Sequence, residues 1–330
     1  MAIKKPNLKF PTRVSINITR KCNLKCKHCL SDSGKKDEDE LKTVEILDLI
    51  DQLKKNGKPT LAIGGGEPLL RRDLFKIIKY ARKNEVPVSI ITNGLLVNKE
   101  IAQKLELLNL EYIAVSIDGL EKTHDAMRGK GNFKKTLKNI KILRKFCNNT
   151  KLAMRVTVNT LNIKDGPKLI KLAEKLLFNS IRLAPVLPTG RAKENKNLLI
   201  TQEQYIQFVK NLHTIKSNIE VIFPDKNHTI LLSNKNFGCH CGKEVCWITQ
   251  TGDLYPCLFF GDNYKAGNIK KENFIVLWNK AKKLAKFCGN KICNNCKNYK
   301  NCRGGCRSRA LWMYNDINAI DPYCILRKNI

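Results

Sequence analysis

From Arg13 to about Pro185, short β-rich runs alternate with longer stretches whose apolar residues recur every three or four positions. The runs are RVSINI, TLAIGGG, VPVSIIT, YIAVSID, LAMRVTVN and SIRLAP. Between them VEILDLIDQLKKNG, DLFKIIKYARKN, KEIAQKLELLN, FKKTLKNIKILRKF and GPKLIKLAEKLLF read as amphipathic helices, several with Gly or Asn at the exit. Six β/α units predict a parallel sheet covered by helices, with ligands at the carboxyl ends of the strands. Thr189 to Asn197 (TGRAKENKN) is polar and reads as a connecting loop, followed by a helix, EQYIQFVKNLHTIK, and a short run, IEVIF. From Cys239 the sequence becomes cysteine-dense, with a hairpin predicted to turn at Thr251-Gly252 and one helix, NFIVLWNKAKKLAKF.

The 330 residues are 42% hydrophobic and 27% charged, which argues for a folded globular chain over disorder or coiled coil. No stretch approaches the length of an uncharged membrane span, and the amino terminus lacks a signal peptide's apolar core. The expectation is an unexported, cytoplasmic protein. A formal charge of +32 favours anionic partners: an acidic peptide, a polycarboxylate or an acidic redox protein. Lysine and asparagine are also abundant throughout, so charge alone selects no function. Nucleic acid is disfavoured because no RNA-binding module is recognisable.

Fourteen cysteines change the picture, since in a reducing compartment thiolates serve metals or catalysis rather than disulfides. Cys22, Cys26 and Cys29 follow the first strand with C-x3-C-x2-C spacing, Cys147 is alone, and ten lie between Cys239 and Cys324. Three thiolates can hold three irons of a cubane and leave the fourth iron open, whereas a structural zinc would require a fourth ligand such as His28.

Together with Gly64-Gly65-Gly66-Glu67-Pro68 after the second strand, this spacing resembles the radical S-adenosylmethionine (SAM) superfamily. The resemblance implies that Gly65, Gly66, Glu67 and Pro68 receive the methionine amino group. Glycines permit close approach, and a carboxylate suits an ammonium. Asn93, in Thr92-Asn93-Gly94, and Ser116, in Ser116-Ile117-Asp118-Gly119, resemble segments near the SAM ribose, adenine or carboxylate. Arg128, in THDAMRG, or Arg155 would reach the SAM carboxylate or else form a structural salt bridge.

Residues 239 to 324 resemble the SPASM domain. Twelve residues separate Cys239 from Gly252, which opens G-x4-C to Cys257; Cys293-x2-Cys296-x5-Cys302-x3-Cys306 follows, and Cys324 closes the series. The resemblance implies two auxiliary [4Fe-4S] clusters, one on Cys239, Cys257 and Cys306 with Cys246 as fourth ligand, the other on Cys293, Cys296, Cys302 and Cys324. Cys241 competes with Cys239, Cys147 packs as a small apolar residue, and Cys288 is unassigned. Trp278 is expected to anchor a core.

The expected architecture is α/β: a partial (β/α)6 TIM-like barrel over residues 1–190, a bridge over 191–238 and a small cysteine-rich SPASM domain over 239–330. The implied chemistry uses three [4Fe-4S] clusters and SAM. Reductive cleavage of SAM yields a 5′-deoxyadenosyl radical that abstracts hydrogen from the substrate, and auxiliary clusters favour a net oxidation. Oxidative modification of a ribosomal peptide or protein side chain is placed first. With about a dozen residues before the barrel, that reading calls for a separate peptide-recognition protein. Trimming of a tetrapyrrole in haem biosynthesis is the alternative, supported by Pro188-Thr189-Gly190-Arg191-Ala192 and Cys246; a non-catalytic iron-sulfur scaffold is the third reading. Sulfatase maturation is disfavoured because Leu258 stands where those enzymes carry Asp. An acidic electron donor, flavodoxin or ferredoxin, is the expected redox partner.

Overall fold

The computed structural model describes residues 9–223, 239–286, 291–302 and 304–324; Cys288 lies outside them. The chain forms Arg13–Asn17 (β1), Thr43–Lys55 (α1), Thr60–Gly64 (β2), Leu74–Lys83 (α2), Val88–Thr92 (β3), Lys99–Glu106 (α3), Tyr112–Ser116 (β4), Glu121–Arg128 (α4), Asn132–Phe146 (α5), Leu152–Val158 (β5), Gly166–Lys175 (α6) and Ser180–Pro185 (β6). All six β-rich runs are strands. Gln202–His213 (α7) begins at a reciprocal capping box between Thr201 and Gln204, as its sequence requires. α4 escapes an apolar-periodicity search because EKTHDAMR contains only Ala126 and Met127 as apolar residues.

Strands β1 to β6 pair parallel in chain order, and Glu220–Ile222 (β7) extends the sheet beyond β6. On the other side, Val245–Ile248 (β8) pairs parallel with β1, then Asp253–Tyr255 (β9) and Gly267–Asn268 (β10) return antiparallel, with the turn at the predicted place. The sheet order runs from β10 to β7, so among the described residues the barrel remains open. The helical remainder is Phe274–Leu284 (α8), Lys291–Asn294 (α9), Tyr299–Cys302 (α10) and Arg307–Tyr314 (α11).

Alternation along the strands divides the molecule. Val14, Ile16, Leu61, Ile63, Ile113, Val115, Leu152, Met154, Ile181 and Leu183 face outward into one core with the helices. Each such side chain contributes about 1.5–3 kcal/mol by burial. The opposite positions, among them Arg13, Ser15, Tyr112, Ser116, Arg155, Thr157 and Arg182, are half-buried and line the lumen. Ile248, Leu254, Phe274, Leu277 and Trp278 belong to the same outer core, and the Trp278 indole donates to the Lys9 carbonyl at 3.1 Å. A continuous sheet and core therefore cross the predicted division at residue 239, because β8 covers the open edge of β1.

Candidate active site

Cys22, Cys26 and Cys29 gather beside Leu24 and Leu95 in the loop leaving β1. Glu40 folds this loop by accepting hydrogen bonds from the Thr19 hydroxyl at 2.9 Å and the Arg20 amide at 2.7 Å. Against it lies the end of β2: the Gly66 amide donates to the Thr19 carbonyl and the Glu67 amide to the Lys21 carbonyl. Gly65 has φ +142°, and a Cβ there or at Gly66 would collide with the Thr19 or Lys21 carbonyl oxygen. The close approach that these glycines permit is thus to the chain's own cysteine loop.

Burial pushes the Cys22 thiol up to about 11, with the Leu24 amide working against it, and burial also raises Cys26. The Ser33 amide donates to the Cys29 sulfur at 3.4 Å and Arg128 Nη1 to the Cys26 sulfur at 3.8 Å. Sulfurs held together with N–H donors aimed at them fit thiolate ligands of an iron-sulfur cluster.

The other strand ends converge on this loop. Fully buried Glu67 accepts from the Thr92 hydroxyl (2.7 Å), the Asn93 amide (2.7 Å) and the Leu69 amide (3.2 Å). Burial nevertheless raises its carboxyl to about 7. Pro68 is buried at the start of a short 3-10 turn. Asn93 donates through Nδ2 to Asn23 Oδ1 at 2.8 Å, tying β3 to the cysteine loop. Ser116 is half-buried and opposite Arg155 in register.

Arg128 forms a salt bridge. Its Nε lies 2.6 Å from Asp118, whose other oxygen accepts the Thr157 amide at 2.7 Å. His28 Nε2 is 3.0 Å from the same carboxylate. Burial would raise Asp118, but Arg128 and His28 outweigh it and hold the carboxyl far below its usual range. His28, considered above as a zinc ligand, is instead engaged by Asp118. Arg155 does not join this group; its Nη2 is 3.3 Å from the Tyr112 hydroxyl.

The segment read as a connecting loop, whose Pro188-Thr189-Gly190-Arg191-Ala192 also supported the tetrapyrrole alternative, docks on the cysteine loop. The Arg191 amide donates to the Cys29 carbonyl at 3.0 Å, its Nε to the Cys26 carbonyl at 2.8 Å and its Nη1 to Asp32 at 2.6 Å and the Ser33 carbonyl at 2.9 Å. Gly190 has φ +52°, and a Cβ would meet the Cys29 and Leu30 carbonyls. Polar composition concealed this role, since the bonds go to backbone atoms distant in sequence.

Among the carboxyl-terminal cysteines, Cys239, Cys241 and Cys257 stand together: the hydrogen bond with Cys241 holds the Cys239 thiol low, and the bonds with Cys239 and Cys257 push Cys241 up. Cys257 is 3.1 Å from the Ser308 hydroxyl, two residues past Cys306. Cys246 is not part of this group. It lies on the outward face of β8 within the apolar core, where desolvation alone raises its thiol. Cys246 was expected as fourth ligand of the first auxiliary cluster; strand alternation turns it toward the core here, while Cys241 is beside Cys239 and Cys257. Cys302 lies within electrostatic reach of Cys293 and Cys324, and the Cys296 amide donates to the Cys293 carbonyl at 3.1 Å. Buried Asp321 joins the two regions by pairing with Arg309 at 2.6 Å and accepting the Cys306 amide at 2.6 Å. Cys147 is fully buried and donates to the Ala102 carbonyl at 3.0 Å.

Residues 16–173 match the family model of the radical SAM superfamily and 239–307 that of the SPASM iron-sulfur cluster-binding domain. The chain is 31% identical to AdoMet-dependent heme synthase of Methanosarcina barkeri, over 96% of this chain and 97% of that protein. It is 29% identical to mycofactocin maturase MftC of Mycobacterium tuberculosis, over 96% and 84% respectively. The solved structure of native anSMEcpe with bound AdoMet has the same fold, with a TM-score of 0.79 at 23% identity, covering 96% of this chain and 95% of that one. With a cysteine loop at the end of β1, an open parallel barrel and a cysteine-rich carboxyl-terminal module, the chain belongs to the radical SAM superfamily and is an enzyme with a SPASM iron-sulfur domain.

Proposed function

We propose that Cys22, Cys26 and Cys29 hold the SAM-binding [4Fe-4S] cluster and that the enzyme oxidises a polycarboxylate of the tetrapyrrole kind within the barrel lumen. When bound, the cluster and SAM would supply the one-electron chemistry needed to break an unactivated C–H bond. The chain's residues supply placement. Arg128 and the Ser33 amide hold the sulfurs, Glu67 offers a carboxylate at the end of β2, and Asn93 and Ser116 offer polar groups at the next two strand ends. Cys239, Cys241, Cys257 and Cys306 would hold one auxiliary cluster and Cys293, Cys296, Cys302 and Cys324 the other. Together they would provide acceptors for the electron released in a net oxidation.

The observation that carries the substrate reading is the composition of the barrel wall. Strands β1 to β6 contain Arg13, Arg155 and Arg182, all on the lumen face, and no Asp or Glu. Such a chamber favours an anion. Similarity over 97% of a heme synthase agrees with this choice.

Peptide or protein side-chain modification is the second reading, favoured by the likeness to MftC. It would draw on a separate recognition protein, and either reading on an acidic flavodoxin or ferredoxin. Anaerobic turnover of the reconstituted enzyme with iron coproporphyrin III, or with candidate precursor peptides, tests the choice. Release of 5′-deoxyadenosine together with loss of carbon dioxide from the porphyrin is expected. An unchanged porphyrin alongside a modified peptide would reverse the order of the two readings.

A further inference from the structure

The floor of the lumen, at the end remote from the cysteine loop, is reached by polar groups that have been given no individual role above. Arg13 is the first residue of β1 and Tyr112 the first of β4, two strands separated in the sheet by β2 and β3. Their contact is therefore across the chamber: the Arg13 guanidinium is 5.6 Å from the centre of the Tyr112 ring. From β5, Arg155 reaches down so that its Nη2 is 3.3 Å from the Tyr112 hydroxyl. Arg182 stands beside Arg155 in register on β6. Three guanidinium-bearing residues thus face one chamber; strands β1 to β6 carry no acid, and the acid nearest along the sheet is exposed Glu220 of β7, opposite Ser180.

Two details specify an anion rather than generic polarity. Arg155 Nε is shielded from solvent and has no hydrogen-bond partner among the described residues. A buried donor without an acceptor costs about 1–3 kcal/mol. Nε and Nη2 share the edge of the guanidinium that receives a carboxylate through two parallel bonds. Tyr112 agrees with a cationic setting. Burial would raise its phenol, but Arg155 and Arg13 outweigh burial and leave it below its ordinary value.

We propose that Arg155, Tyr112 and Arg13 form a carboxylate-binding subsite on the lumen floor that anchors the substrate. Arg155 receives the carboxylate by its Nε/Nη2 edge, the Tyr112 hydroxyl donates to it, and Arg13 adds charge from the facing wall. With a rise of about 3.3 Å per residue, Arg13 lies about 13 Å below the end of β1, where the cysteine loop begins, whereas the Arg155 backbone is level with Ser116 at the end of β4 and its side chain extends down from there to Tyr112. A substrate with carboxylates on several arms can then be held by one arm while another carbon reaches the strand ends. This placement rests on the polycarboxylate reading above.

The test is anaerobic binding of iron coproporphyrin III, and of its tetramethyl ester, to the reconstituted enzyme, followed by the porphyrin absorption band. The free acid should bind at least about tenfold more tightly than the ester, and Arg155→Met should lose about tenfold for the acid with little change for the ester. Arg155→Lys, which keeps the charge but not the fork, should fall between. Equal binding of acid and ester, or of the acid to wild type and Arg155→Met, would overturn the subsite. So would loss of SAM binding in Arg155→Met with porphyrin binding intact. If wild type ignores the porphyrin but binds an acidic peptide with the same Arg155 dependence, the subsite stands and the tetrapyrrole reading falls. Failure to bind either ligand overturns both.

Discussion

At Glu67 burial opposes three hydrogen-bond donors, and burial prevails: the carboxyl titrates near 7 in the fold against an ordinary value of 4.5. A raised carboxyl favours the protonated form in the folded state. Its stabilising contribution is therefore present below about 4.5 and is lost as pH rises through about 7. The melting temperature of the cluster-free protein should accordingly contain a component that falls between pH 5 and 8, and Glu67→Gln, permanently neutral, should fall less over that interval. Equal slopes for the two proteins would show that Glu67 is ionised at no cost. The sequence marked Glu67 as a candidate because of its neighbours Gly65, Gly66 and Pro68, but its bonds to Thr92 and Asn93 come from the adjacent strand end and cannot be read from that motif. Asp118 was equally hidden. It was visible as part of a turn, whereas its pairing with both His28 and Arg128 required α4 to fold back over the cysteine loop.

Loops, more than strands or helices, bring the site together. The turn after β6 contributes Gly190 and Arg191, which grip backbone atoms of the loop after β1. Gly190→Ala adds a Cβ against two carbonyls at a φ that only glycine adopts freely, a strain of about 1–3 kcal/mol that falls on the Cys26–Cys29 segment. The variant is expected to fold and to retain its auxiliary iron while losing iron and the EPR signal of the amino-terminal cluster. Full retention of that signal would mean that the docking is incidental. A stronger version removes the ligands themselves. Cys22, Cys26 and Cys29 changed together to Ala should abolish SAM cleavage and leave about eight irons of about twelve. Undiminished deoxyadenosine formation would end the assignment of these cysteines, and about eight irons in wild type would leave one auxiliary cluster rather than two.

At the scale of the whole molecule, the charge of +32 acts through encounter, because exposed charges are screened beyond about 8 Å at physiological salt. Reduction by an acidic flavodoxin or ferredoxin should slow steeply with rising salt, while reduction by dithionite should change much less. Equal sensitivity to salt with both reductants would leave the lysines without a docking role. Substrate turnover that is salt-sensitive while protein-mediated reduction is not would assign the positive surface to the substrate. No helix among the described residues is long and apolar enough to cross a membrane.

The sequence by itself determined the six parallel strands, their flanking helices other than α4, and the two cysteine sets. Strand alternation, helical periodicity and ligand spacing are all properties of short stretches. It also placed Trp278 in a core, since a large apolar residue on an amphipathic helix has few other destinations. Only the tertiary structure decided which residues meet across those stretches. β8 added itself to the edge of β1, so that one sheet crosses the expected division and Cys246 turns into the core while Cys241 joins Cys239 and Cys257. Arg13, Tyr112 and Arg155 lie far apart in sequence, and nothing local marks them as neighbours. They converge because the open barrel curves its first and fourth strands to face each other, and contacts across a lumen depend on that closure.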